Sequence, residues 1–159
     1  CRGLPMTFMG SEILQEGWWH VDHDHRFNWG LADSEDAHAV EMKRCVAASN
    51  KLRLAHPAFV QDNARFVHED PSNSLLAFMR WTEDTTILCI AHFGEGQWDQ
   101  CNYGVSTGWG GGGIWKLVFN SQAGEFGGWD GSGTPESTAD DSGRIHINIP
   151  KWSCLVYKS

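Results

Sequence analysis

The chain has 159 residues, one domain's worth, with 12 Lys+Arg against 20 Asp+Glu for a net charge of −8. That acidity excludes the clustered positive charge that nucleic acid and anionic membrane surfaces demand. A 41% hydrophobic and 20% charged composition excludes a disordered polymer. The longest apolar run, near Ile87–Ile90, is far short of the ~18 residues a membrane span needs.

Nine Trp and eighteen Gly point to a β-rich protein with tight turns and either a heavy core or flat stacking surfaces. Five cysteines, at positions 1, 45, 89, 101 and 154, form no CxxC pair, so zinc-ribbon and thioredoxin-type motifs are excluded. Their odd number and irregular gaps fit a reduced intracellular compartment, with Cys45, Cys89 and Cys154 as small hydrophobes. The chain opens Cys-Arg-Gly without an initiator Met, which reads as a fragment of something longer.

In chain order, Met6–Met9 is expected to be a short apolar strand, followed by an aromatic, His-rich loop over Gly17–Gly30. Residues 34–54 carry the one convincing helical pattern. Asp33 or Ser34 is placed to cap it, and Glu35 and Asp36 suit its first turn. Ala39, Met42, Cys45, Val46, Ser49 and Leu52 recur at helical spacing as one buried face. Lys51 and Arg53 suit the last turn, and Pro57 stops the helix.

Beyond Ala58 the period changes. Ala64–Glu69, Ser74–Trp81, Thr86–Phe93, Ile114–Asn120, Arg144–Ile149 and Ser153–Lys158 read as strands separated by turn clusters. No helical pattern interrupts them, so the fold class is mainly β, an antiparallel sandwich. Gly110–Gly113 is a flexible turn and not a phosphate cradle, because no Lys-Ser/Thr follows. One strand, a loop and a helix make a βα unit that cannot bury its strand alone. Residues 1–57 are therefore expected to end a larger α/β domain, with 58–159 as an appended β domain.

Glu12 follows Gly10 at the end of the first strand. That position faces the active site in a barrel, although a carboxylate there can equally tie down its own loop. His20, Asp22, His23 and His25 invite a metal reading. They share a loop without i, i+4 register, so a polar rim loop fits better and no metal is assigned. Trp18, Trp19 and Trp29 flank this loop and could stack on the apolar faces of sugar rings while Asp, His and Asn bind hydroxyls. Trp81, Trp98, Trp109, Trp115, Trp129 and Trp152 are expected in core or turn packing.

Gly3-Leu-Pro-Met-Thr-Phe-Met-Gly10-Ser-Glu12 resembles the motif at the eighth barrel strand of the α-amylase superfamily. Phe27-Asn28-Trp29-Gly30-Leu31 and the His38-Ala39-Val40 helix are similar to the end of the catalytic domain of 1,4-α-glucan branching enzymes. Lys116–Ser121 and Phe126-Gly-Gly-Trp129 resemble their C-terminal all-β domain. Ile13-Leu14 stands where a Phe and a small residue are usual, and Asn28 where Asp is common.

The resemblance implies the last βα unit of a (β/α)8 barrel followed by an all-β domain. The parent would be a glycosyltransferase acting on glycogen, amylose or amylopectin, in the cytoplasm or, in a photosynthetic eukaryote, the plastid stroma. It implies no cofactor, and partners limited to α-glucan and the upstream barrel of the same polypeptide. Glu12, Trp18, Trp19, His20 and Trp29 would be substrate-binding. The catalytic carboxylates would lie on earlier barrel strands, leaving none in this chain. A stand-alone carbohydrate-binding module and the tail of a hydrolytic or debranching sibling are the alternatives.

Overall fold

The computed structural model describes residues 6–17, 26–109, 111–129 and 133–159. Among these residues two helices, α1 (Trp29–Ala32) and α2 (Ala37–Ala55), precede eight strands. These are β1 (Ala64–Asp70), β2 (Leu75–Trp81), β3 (Thr86–His92), β4 (Trp98–Ser106), β5 (Ile114–Asn120), β6 (Glu136–Thr138), β7 (Arg144–Ile149) and β8 (Cys154–Lys158).

The expected strand at Met6–Met9 is not formed. Those residues run without secondary structure into a turn, with Met6, Phe8 and Met9 exposed. A strand is held by the ladder of a neighbour, and no described strand lies beside this segment. Residues 11–13 instead form a 3-10 turn whose Ile13 is buried against α2.

The helix starts later than its acidic residues suggest. Asp33 ends α1, and Ser34 turns back on it, its N and Oγ both donating to the Leu31 carbonyl at 3.2 and 2.7 Å. Asp36 is therefore the cap of α2, accepting from the Ala39 N–H at 3.0 Å. Of the expected buried stripe, Ala39 is buried, Met42, Cys45, Val46 and Leu52 are half-buried, and Ser49 is exposed.

All strand pairs are antiparallel, and the predicted sandwich is present. A six-stranded sheet ordered β1-β2-β3-β8-β5-β6 faces a two-stranded sheet of β4 and β7. Two strands escape sequence reading. In β4, Asp99-Gln100-Cys101-Asn102 breaks the alternation because Gln100 and Cys101 take positive φ and the pairing with β7 shifts there. β6 is only three residues long and pairs at the sheet edge.

Alternation divides the large sheet's side chains between two cores. Leu75, Ala77, Met79, Leu88, Ile90, Leu155 and Tyr157 meet Tyr103, Val105, Ile145, Ile147 and Ile149 of the small sheet. On the opposite face Ile87, Cys89 and Val156 pack with Ala58, and Leu52, Phe59 and Phe78 join them. A bulge in β5 moves Phe119 to that second face although Trp115 and Leu117 point to the first. The central strand β3 is thus buried on both sides, which explains its unbroken Ile-Leu-Cys-Ile run.

The second face also holds a buried cation. Arg80, on β2, donates from Nε to the Ala58 carbonyl at 3.0 Å and from a terminal nitrogen to the Gln61 carbonyl. Arg53, near the end of α2, donates to the Phe59 carbonyl at 2.8 Å. Two guanidinium groups, one from helix and one from sheet, fix the segment that joins them.

Arg80→Met should lower stability by about 2–3 kcal/mol, since two carbonyls lose charged donors inside a packed layer. Arg80→Lys should recover part of the loss. Urea denaturation that finds Arg80→Met unchanged would remove this residue as the anchor.

The thiols give a second check. Burial pushes the Cys89 thiol up to about 12 and that of Cys154 up to about 11, with each also raised by a neighbouring thiol, and burial raises Cys45. Cys101 is exposed. At pH 8 a thiol of pKa about 12 is ionised to roughly one part in ten thousand, so of the four described thiols Cys101 should alkylate first and Cys89 last in the folded chain. Peptide mapping that finds Cys89 labelled as fast as Cys101 would contradict the packing.

Candidate functional site

The residues before α2 are organised by short-range hydrogen bonds. Gly10 sits at φ +90°, a left-handed conformation costly to other residues, and its N–H donates to Glu12 Oε2 at 3.1 Å. Glu12 therefore clasps the turn that carries it. Gln15 reaches further: its Nε2 donates to the Arg26 carbonyl at 3.0 Å, and its Oε1 accepts from the Asn28 N–H at 2.8 Å. One amide side chain thus brings the Glu12 and Trp29 segments together. Sequence reading passed over Gln15, because an amide in a polar loop has no distinguishing spacing.

Asn28 caps α1 by accepting from the Leu31 N–H at 3.0 Å. This places Trp29 at the helix start, 70% exposed, edge-on to Phe27 with ring centroids 4.7 Å apart. The Ala32 carbonyl, at the other end of α1, accepts from Lys43 of α2. Trp18, Trp19 and His20 lie outside the described residues, as do Asp22, His23 and His25 of the weighed metal reading. Among the described residues no group of three or more His, Cys, Asp and Glu side chains could hold a metal ion.

The later Trp residues divide. Trp115 is buried, and Trp81 and Trp98 pack partly against the main core. Trp109, Trp129 and Trp152 are 46%, 65% and 51% exposed, against the expectation of core or turn packing for all six. Trp109 is covered in part by the Arg65 guanidinium, 5.5 Å from its ring centroid, and meets Trp81 edge-on.

Trp129 and Trp152 share a cleft of about 280 Å³. One wall is Leu14 with His38, Glu41 and Met42 of α2; the other includes Gln122 and Phe126. The loop after β5 approaches α2 so closely that a Cβ on Gly127 would strike the Glu41 carboxylate. A Cβ on Gly128 would strike the Gln122 carbonyl. Gly127 is also at φ +76°. Trp152 takes φ +51° in the turn between β7 and β8, its N–H donating to the Gly94 carbonyl and its carbonyl accepting from Gln122 Nε2 at 3.0 Å.

A second polar cluster lies at the β1–β4 junction. Tyr103 Oη donates to Asp70 Oδ2 at 2.6 Å and lies 3.1 Å from His68 Nε2, while the Ser106 N–H points at His68 Nδ1 at 3.4 Å. The Tyr103 and Asn73 hydrogen bonds hold the Asp70 carboxyl below its usual range. Desolvation, then the Asp70 carboxylate, pushes Tyr103 upward. His68 is lowered by desolvation and by Arg144, against an opposing pull from Asp70. With Nδ1 facing an N–H, the neutral ring donating from Nε2 fits best.

A family model described as the α-amylase C-terminal all-beta domain matches residues 66–159. A protein named 1,4-alpha-glucan branching enzyme GlgB, from Pseudomonas fluorescens (strain Pf0-1), is 28% identical over 98% of this chain and 22% of its own length. A 1,4-alpha-glucan branching enzyme GlgB 1 from Xanthomonas campestris pv. campestris (strain 8004) is 32% identical over 79% of the chain and 17% of its own length. The chain thus spans about a fifth of the length of the curated relatives it matches. The crystal structure of AmyP in complex with maltose shares the fold at a TM-score of 0.57 and 12% identity, covering 84% of this chain and 23% of that one.

The His68 cluster carries a pH dependence. A histidine whose folded pKa lies below the unfolded value of about 6.5 leaves the unfolded chain to take the proton first as pH falls. Stability is then intact above about pH 6.5 and declines below it until the folded ring also titrates. Urea midpoints should fall between pH 7 and 5.5, and His68→Gln should flatten that slope; a residual slope is expected from His56, which is also lowered by desolvation and by Lys158. An unchanged slope in His68→Gln would show that the ring is not the group responsible.

Proposed function

This chain belongs to the family of α-amylase C-terminal all-β domains, and we propose that it is the C-terminal part of a 1,4-α-glucan branching enzyme. The observation carrying the proposal is the match to proteins of that name over nearly the whole chain, through the segment preceding the β domain as well as the domain itself. In this reading residues 58–159 are the C-terminal sandwich, and residues 1–57 close the (β/α)8 barrel of the catalytic domain. The enzyme would cut an α-1,4 glucan chain and re-attach the segment through an α-1,6 link. Its setting would be the cytoplasm, and its partners α-glucan and the upstream barrel of the same polypeptide.

The chemistry needs two carboxylates about 5–5.5 Å apart, one as nucleophile and one as acid and base. In the proposed enzyme both sit on earlier barrel strands. This chain contributes binding: Glu12, Trp18, Trp19, His20 and Trp29 would form part of the active-site rim, with Gln15 as the residue that positions it. Orienting a long acceptor chain toward a covalent glycosyl intermediate favours transfer over hydrolysis by water.

A chimera tests this. Replacing the matching C-terminal part of the Pseudomonas fluorescens relative with this chain should retain branching of amylose, read as loss of long-chain iodine colour with no gain in reducing ends, because each anomeric carbon freed from an α-1,4 link is recaptured in an α-1,6 link. The 159-residue chain by itself should show no turnover. A folded chimera that only hydrolyses would favour a hydrolytic sibling, and turnover by the chain alone would overturn the assignment of the carboxylates to another part of the protein.

A further inference from the structure

The cleft shared by Trp129 and Trp152 is used by none of the residues assigned above. Its two indoles are among the most exposed aromatic side chains described, yet neither is loosely held. Trp152 is locked at positive φ by backbone bonding to Gly94 and by the Gln122 amide. Trp129 follows Gly127-Gly128, which are pressed against Glu41 and the Gln122 backbone, and one face of its ring carries the Lys151 ammonium at 5.2 Å. Exposed indoles carried on a bonded, close-packed backbone leave apolar surface in water, the kind of surface a ligand can cover.

Polar groups converge on the same space. Gln122 is 9% exposed and lines the cleft; its Nε2 is engaged by Trp152, but its Oε1 is buried with no hydrogen-bond partner among the described residues. That oxygen is closed off from the cleft, so Gln122 serves the site by holding the Trp152 backbone, and ligand hydroxyls are left to the opposite wall. On the opposite wall His38 Nδ1 and Glu41 Oε2 stand 3.6 Å apart, a further donor and acceptor pair. Flat aromatic platforms with a few hydroxyl-binding groups suit a ligand that is apolar on ring faces and polar on ring edges, which is a pyranose. A nucleic acid needs several cations along its path, and this cleft is lined by an acid and a histidine, with one lysine beside it held over the Trp129 ring.

We propose that the cleft between the start of α2 and the loop after β5, walled by Trp129 and Trp152 with Gln122 between them, is a binding subsite for one or two glucose units of an α-glucan chain. Its volume of about 280 Å³ falls just below the ~300–1,000 Å³ of ordinary ligand pockets, so it holds only a short stretch of a longer polymer. Leu14, two residues beyond Glu12, lines its edge, so a chain seated here runs on toward the segment that carries Glu12. The glucan identity of the ligand rests on the branching-enzyme reading; the presence of a sugar-binding surface rests on the cleft.

The test uses maltoheptaose and the wild-type chain. N-bromosuccinimide oxidation, mapped by mass spectrometry, should slow at Trp129 and Trp152 when maltoheptaose is present and stay unchanged at Trp109. In native gels cast with amylopectin, Trp129→Ala and Trp152→Phe should bind about tenfold more weakly than wild type, while Trp109→Ala matches it. Equal protection of all three indoles, or of none, overturns the proposal without needing a folded variant. Protection by cellohexaose as strong as by maltoheptaose overturns its α-glucan part. If the chimera branches amylose but gives no protection, the subsite fails while the branching-enzyme reading stands. If the chimera only hydrolyses while Trp129 and Trp152 are still protected, the reverse holds.

Discussion

The structure depends on burying one sheet from both sides. Leu88 and Ile90 of β3 face the small sheet while Ile87 and Cys89 face the segment that follows α2, so each residue of that run needs a separate cover. The small sheet supplies the first through Ile145, Ile147 and Ile149. The second comes from Leu52 of α2 and from Ala58 and Phe59 of the joint between helix and sheet, none of them in a strand. Arg80 fixes that joint from the sheet and Arg53 from the helix, both by charged bonds to backbone carbonyls. A guanidinium suits this task because it offers several donors in one plane while its stem packs against apolar neighbours.

That joint has a consequence far from itself. With its C-terminal end held on the sheet, α2 is a fixed rod, and its N-terminal half sets where Glu41, Met42 and the docked Ile13 turn must lie. The Glu12 turn and the aromatic cleft are therefore positioned by the same helix. Gln15 then ties the Glu12 turn to the segment that carries Trp29 through Arg26 and Asn28. Regular elements carry the placement, and short hydrogen-bonded turns carry the chemistry.

The legible parts of the sequence were those with a clean period. Arg144–Ile149 alternates strictly and forms β7 with those bounds, and Ile114–Asn120 likewise forms β5. What escaped was set by geometry that leaves no period. The bulge at Gln100 and Cys101 hid β4, and the capture of Ser34 by α1 moved the helix start to Asp36. The site was less legible than the fold. Glu12 and Trp29 could be singled out by type and position, but Gln15 and Gln122 act through where their amides end, which only the folded chain determines.

The fate of the tryptophans shows why composition alone misleads. An indole is large enough to fill a core and flat enough to serve as a platform, and sequence position does not separate the two uses. Trp115 alternates with strand neighbours and is buried, as period-two reasoning requires. Trp129 and Trp152 lie in turns whose backbones are pinned by Gly127, Gly128 and a positive φ, so their side chains project without a core to enter. Around them the acidic chain places few cations, and a neutral polymer with apolar ring faces can approach such a surface without any charge to compensate. Constraint in the turns and exposure of the rings thus belong to one arrangement, in which the backbone holds apolar area in water, the kind of area a ligand can cover.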